Sequence, residues 1–436
     1  MLICTFGAMF RPPQIAIEAY NYELPNDRIA FTPTDDRAGS KLLVWDQAII
    51  AESHYANIAE YLPNNAQLFF NNSKVIAARL LFEKPSQENN ASIIEIFCLE
   101  PAKQFTPVVL AMQAKQCVEW YCLVGGAKKW KEAFLYKELQ FGDKKIIFKA
   151  QKIKQEEGQF LIRFLWDDNS ISFSEILHII GKIPLPPYIQ RAANQEDVDR
   201  YQTTYAIEEG SVAAPTAGLH FSKEVFKSLA EKNIASNFIT LHVGAGTFMP
   251  VKSDTIDEHI MHAEFIEVHK DEIVRIIEIK NSKTPKPIVS VGTTTLRTLE
   301  SLYWLGVKKY KELKGADFLK KAELGEALSL GQWEAYELDE FEVSVEVAFN
   351  TLLKWMEYNQ TEKLFAKTQL MVTPGYHFKI CDALVTNFHQ PKSTLLLIIA
   401  AIVKEQWKEI YQHALDNEYR FLSYGDGSLF WINKMH

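Results

Sequence analysis

No apolar run in the 436 residues approaches the roughly 18 that a membrane-spanning helix requires, so no span is expected. The longest candidate, Leu395 to Val403, follows Pro391 and Ser393 and reads as a buried helix. Cysteine is sparse as well. Cys4, Cys98, Cys117, Cys122 and Cys381 are odd in number and scattered, which argues against a disulfide framework and for free buried thiols. Cys117 and Cys122 have no second pair or neighbouring histidine to complete a tetrahedral set, so no metal site is expected. The opening MLICTFGAMFRPP lacks a basic start and a cleavage pattern, and the chain is read as cytoplasmic. Positive charge is also short: 47 Lys and Arg stand against 55 Asp and Glu, a net of −8. A nucleic-acid partner would therefore have to be held by a local patch rather than by the whole surface. Hydrophobic residues are not lacking; at 47% they support sizeable cores, and the length suggests two or three domains.

One segment reverses the charge balance. Residues 79–166 hold 14 Lys and Arg against 10 Asp and Glu. Lys128, Lys129 and Lys131 flank Trp130 just after Gly125 and Gly126, a candidate RNA contact or simply a solvated face. In this region ASIIEIFCL, CVEWYCLV, KKIIFKA and QFLIRFLW are rich in β-branched and aromatic residues and read as strands of a small all-β domain over 81–166. Elsewhere, strands and helices alternate. SKEVFKSLAEKN with Ser222 as N-cap is helical, SNFITLHV and AEFIEVH are strands, DEIVRIIEIKN is a helix, and PIVSVG is a strand feeding TTTLRTLESL. The fold class is thus α/β: a mixed main domain over 1–80 and 167–436 around the β domain.

The texture from Asp199 to Thr247 is that of a binding site. Gly210, Gly218, Gly244 and Gly246 permit close backbone approach, and Pro215 fixes the chain between Ala214 and Thr216. Ser211, Thr216, His220, His242 and Thr247 supply donors and acceptors nearby. Two ordinary glycine-containing loops would look much the same.

Ten blocks in order resemble one family, the S-adenosylmethionine:tRNA ribosyltransferase-isomerases of queuosine biosynthesis. They are YELPNDRIAFTPTDDRAGSKLLV, FFNNSKVIAARL, IPLPPYI, GSVAAPTAGLHF, ITLHVGAGTFMPV, MHAE, VGTTTLRTLES, TPGYHFK, TNFHQPKSTLLL and YRFLSYGDGSL. Because two of these blocks bracket it, the β domain is read as an insertion, and the resemblance implies a barrel-like one. About 303–370 carries no family motifs and reads as a helix-rich, family-atypical insertion with an alternating strand near Phe341 to Val347.

The resemblance implies transfer and rearrangement of the ribosyl part of S-adenosylmethionine onto preQ1 at the tRNA wobble position. Epoxyqueuosine tRNA, adenine and methionine would be the products; no separate cofactor is expected, and the chain is read as a monomer. The donor's sulfonium acidifies its C5′ hydrogens, so a positioned base is needed, and loss of adenine needs a proton donor. His220, His242 and His262 are candidate acid/base groups, His220 and His242 favoured, with Glu264 orienting His262 or meeting the aminomethyl cation. Gly292, Thr293 and Thr294, where a strand gives way to a helix, would present N–H groups to an anion, and Arg297 could clamp it. Asn387, His389, Lys392 and Ser393 form another candidate segment. Tyr424 and Asp426 are candidates for stacking on and hydrogen bonding to a base. Arg37, Asp199, Arg200 and Tyr201 supply further polar groups, for which internal pairing is an equal alternative.

Two other readings remain open from sequence. A methyltransferase using the same donor would claim the GAG at Gly244 to Gly246, but no GxGxxG opens a helix there. A noncatalytic RNA-binding protein would need no water-poor pocket, which the many polar loop residues favour.

Overall fold

The computed structural model describes residues 10–84, 92–156, 158–244, 251–284, 286–314 and 328–432. Among them the architecture is mixed α/β, as expected, and it rests on a ten-stranded sheet. From one edge its strands are Leu328–Leu330, Lys363–Thr368, Glu264–His269, Ala235–His242, Gln67–Asn71, Ile288–Val291, Ala383–Asn387, Gly427–Trp431, Lys41–Asp46 and Ile49–His54. The middle of the sheet is parallel: Gln67–Asn71 pairs in parallel with both Ala235–His242 and Ile288–Val291, and the latter with Ala383–Asn387. Ile288–Val291, Ala383–Asn387 and Gly427–Trp431 are buried at every position, and the first two read as near-continuous apolar runs. One face packs on helices Thr293–Lys314, Val345–Tyr358 and Thr394–Val403, through Leu299, Leu302, Phe349 and Ile399. The other packs Tyr55, Ile58, Phe221 and Val225.

The second sheet is a curled antiparallel half-barrel of seven strands. It begins at Arg79–Lys84, runs through Gln159–Leu165 and takes in Gly181–Lys182, so it reaches slightly beyond 81–166 at both ends. Lys137 donates to the Leu81 carbonyl at 2.8 Å, drawing the last strand toward the first. Helix Phe173–Ile180 packs into the core of this half-barrel, Phe173 against the rings of Trp120, Phe164 and Trp166. A capping box of Ser172 and Glu175 starts that helix.

The strand expected near Phe341 to Val347 does not form. Val345–Tyr358 is a helix instead, because Ser344 caps it by accepting from the Val347 N–H at 3.3 Å. Ala348, Phe349, Leu352 and Met356 then fall on one face and enter the main core. Segments between 303 and 370 therefore contribute to the core: Lys363–Thr368 is itself a strand of the large sheet, while residues 315–327 lie outside the described residues. No helix of the described residues is long and apolar enough to cross a membrane.

Candidate functional site

Parallel pairing brings several strands to their carboxyl ends on one side of the sheet, where open α/β sheets place ligands. Asn71, Gly292 and Asn387 stand at or just past three such ends. Asn71 is fully buried and stitches this rim: its Nδ2 donates to Leu241 O at 2.9 Å and its Oδ1 accepts from Leu241 N and Ser73 N. Gly292, at φ 91°, makes the turn from strand into helix in a conformation that side-chain-bearing residues resist.

Two neighbouring cavities open here, sharing Leu395 in their walls. The narrower gathers Ala214, Pro215 and Thr216 from one family block, Gly292, Thr293 and Thr294 from a second, and Asn387, His389 and Ser393 from a third. The wider, about 200 Å³, is lined by Gly244, His262, Glu264 and Arg297, with Met261, Leu370, Met371 and Ile398 as apolar wall. Thirteen residues expected at the site, far apart in sequence, thus line one pair of cavities.

In the wider cavity Arg297 and Glu264 form an ion pair, each side chain 4% exposed. The Arg297 Nε also donates to Leu370 O at 3.0 Å, whereas its Nη2 has no hydrogen-bond partner among the described residues. His262 is exposed at the mouth and His259 half-buried beside it; burial first, then the charge of His262, lowers the pKa of His259.

In the narrower cavity Asn387 is the junction. Its Oδ1 accepts from the Thr216 hydroxyl at 2.8 Å, and its Nδ2 faces His220 Nε2 at 3.3 Å. His220 stacks on Tyr55, ring centroids 4.2 Å apart, and its Nδ1 lies 3.4 Å from Arg37 O. It therefore stands behind the cavity wall rather than in it. His389 Nε2 meets the Thr386 hydroxyl at 3.0 Å. Burial pushes both His220 and His389 down to about 3, so both are neutral near pH 7.

Other expected residues lie elsewhere or are engaged internally. His242 lines neither cavity; it is buried against Gly210, where a Cβ would come within 2.8 Å of its Nδ1, and its pKa is lowered to about 4, chiefly by burial. Ser211 bonds Ser73 and Val243 N, and Gly218 leaves room for the Tyr205 hydroxyl. Arg37 donates to the carbonyls of Asp199, Gln202 and Leu219, and Arg200 to those of Thr34 and Asp35, so both clamp backbone. Tyr201 is buried edge-on to Tyr424, whose hydroxyl donates to Asp197 at 2.8 Å. Asp426 accepts from Lys41 N and Arg420 N and so closes a turn. Lys392 pairs with Glu18 on the surface. Ser393, besides lining the cavity, caps helix Thr394–Val403 by accepting from Leu396 N at 3.2 Å. Lys128, Lys129 and Lys131 are exposed on the half-barrel around buried Trp130. Gly246 and Thr247 lie outside the described residues.

Sequence reasoning missed His259, Lys252 and Thr386 as cavity residues. His259 stands three positions before His262, a spacing that could have drawn attention to it; Lys252 and Thr386 carried no comparable signal.

The family model described as queuosine biosynthesis protein matches residues 17–324 and 342–430. Among solved structures, one described as S-adenosylmethionine tRNA ribosyltransferase from Thermotoga maritima is 24% identical. The match covers 94% of this chain and 99% of that one, with a TM-score of 0.43.

Proposed function

The chain belongs to the queuosine biosynthesis protein family, and from this premise we propose that it is a tRNA-modifying transferase that carries the ribosyl group of S-adenosylmethionine to tRNA. In this reading the acceptor is preQ1 at the wobble position, and transfer is coupled to rearrangement that gives epoxyqueuosine, adenine and methionine. The observation that supports it most is the meeting of three family blocks, around Pro215, Thr293 and Asn387, in one cavity wall.

The chemistry asks for groups that move protons beside a cationic sulfonium. A neutral His389, wedged against Thr386, orients and accepts hydrogen bonds without adding a like charge to the donor. His262, at the open mouth of the wider cavity, can exchange protons with solvent during adenine departure. In this assignment His220 is a positioning residue acting through Asn387.

The test is incubation with S-adenosylmethionine and preQ1-bearing tRNA. Release of adenine and methionine supports the reading, and His262→Gln should lower that rate about 10²-fold or more. Formation of S-adenosylhomocysteine alone would instead mark a methyltransferase, and donor-independent tRNA binding with no product a pure binder.

A further inference from the structure

Arg297 is the most unusual group in the cavities. It is 3% exposed, sits on the first turns of helix Thr293–Lys314 and walls the wider chamber. A guanidinium holds five N–H donors and is always charged, so a purely structural buried arginine is expected to have them met. Here Nε is bonded to Leu370 O and Nη1 to Glu264, while Nη2 is buried without a hydrogen-bond partner among the described residues. Glu264 balances the charge and brings carboxylate oxygens to the same wall. The rest of the chamber combines an adaptable apolar wall of Met261, Leu370, Met371 and Ile398 with the polar side chains of Lys252, His259, His262 and Thr394.

We propose that the Arg297–Glu264 pair is the receptor for the α-amino-acid end of the sulfonium donor, Arg297 taking its carboxylate and Glu264 its ammonium. A zwitterionic pair beside an apolar wall matches a zwitterionic group on a short aliphatic arm, since each ligand charge meets its opposite within the pair. The methionine walls suit the arm leading to sulfur. At about 200 Å³ the chamber is well above what a single water requires. The ribosyl end then crosses Leu395 toward His389. This inference rests on the ribosyl-transfer reading above and adds the donor's orientation to it.

The experiment compares S-adenosylmethionine with its decarboxylated analogue as donors, following adenine release in the presence of preQ1-bearing tRNA. For the unaltered enzyme the analogue should show a KM raised 10- to 100-fold with kcat changed far less, because a charge-assisted carboxylate bond is absent from binding. In Arg297→Met with Glu264→Met, which removes both charges at similar volume, the two donors should differ less than threefold. Arg297→Lys, which keeps the charge but loses the fork, should give an intermediate ratio and keeps the test open if the double variant does not fold. Equal KM values in the unaltered enzyme, or a full ratio surviving in the variants, would overturn this placement while leaving the ribosyl-transfer reading intact. No adenine from either donor would overturn that reading itself.

Discussion

The Thr216 hydroxyl donates to Asn387 Oδ1, and the same amide turns its Nδ2 to His220 Nε2. This arrangement makes Nε2 the acceptor and leaves the proton on Nδ1, facing Arg37 O. Asn387→Asp would confront Nε2 with an acceptor. The expected outcome is a shift of the proton to Nε2, visible in histidine ¹⁵N chemical shifts, with a loss of about 1–3 kcal/mol in urea unfolding. An unchanged spectrum would mean the amide does not fix the tautomer.

Acid should destabilise the fold through its buried histidines. His220 and His389 at about 3, and His242 at about 4, refuse protons that the unfolded chain takes up near pH 6.5. Their contribution is therefore fully present above about pH 6.5 and is lost as pH falls toward those folded values. Each can add a slope of up to about 1.4 kcal/mol per pH unit in that window. Unfolding midpoints from pH 7.5 to 5 should show it, and His389→Gln should flatten the slope. A slope identical in the variant would show that His389 titrates normally.

Glu300 is fully buried, and its carboxylate accepts from Lys379 N, Ile380 N and Cys381 N and from the Tyr376 hydroxyl. It pins the TPGYHFK block to helix Thr293–Lys314. Glu300→Gln replaces an acceptor by an NH₂ group aimed at donors, and a cost of about 2–4 kcal/mol is expected. Chemical denaturation measures it; a change under about 0.5 kcal/mol, the range of ordinary surface substitutions, would mean the loop is held by other contacts.

Gly427 lies where an added Cβ would come within 2.0 Å of the Tyr55 hydroxyl and 2.8 Å of Thr386 O. Gly427→Ala should displace Tyr55 from its stack on His220, costing about 1–3 kcal/mol by overpacking and lowering activity with it. Retained stability and activity would show that the Tyr55 stack can shift without consequence.

Changing Lys128, Lys129 and Lys131 together to Ala should weaken tRNA affinity and make its salt slope shallower by up to about 2.7, at ~0.9 for each phosphate no longer neutralised. Donor affinity should not move. Identical salt slopes would leave these lysines as a solvated face.

Strands buried on both faces, such as Ile288–Val291, were legible because apolar runs between helical patterns leave few alternatives. The Phe341–Val347 alternation misled because a period of two over seven residues also fits a helix start, and a single Ser344 cap decided it. At the site, residue type marked which loops gather but not which way side chains turn. Thr216 and His220 stand four apart in one turn, yet one faces the cavity and the other stacks on Tyr55. Likewise Arg37 and Arg200 sit beside aspartates in sequence and still bind carbonyls, since tertiary placement rather than neighbourhood sets the partner.

Leu395 belongs to both cavity walls and sits on the first turn of a helix anchored at Ser393. A molecule filling both chambers must straddle this aliphatic saddle, so its bend is prescribed there by a residue with no chemistry of its own. Straight or rigid look-alikes could fill one side or the other, and selectivity would be exercised by curvature before any reactive group is tested.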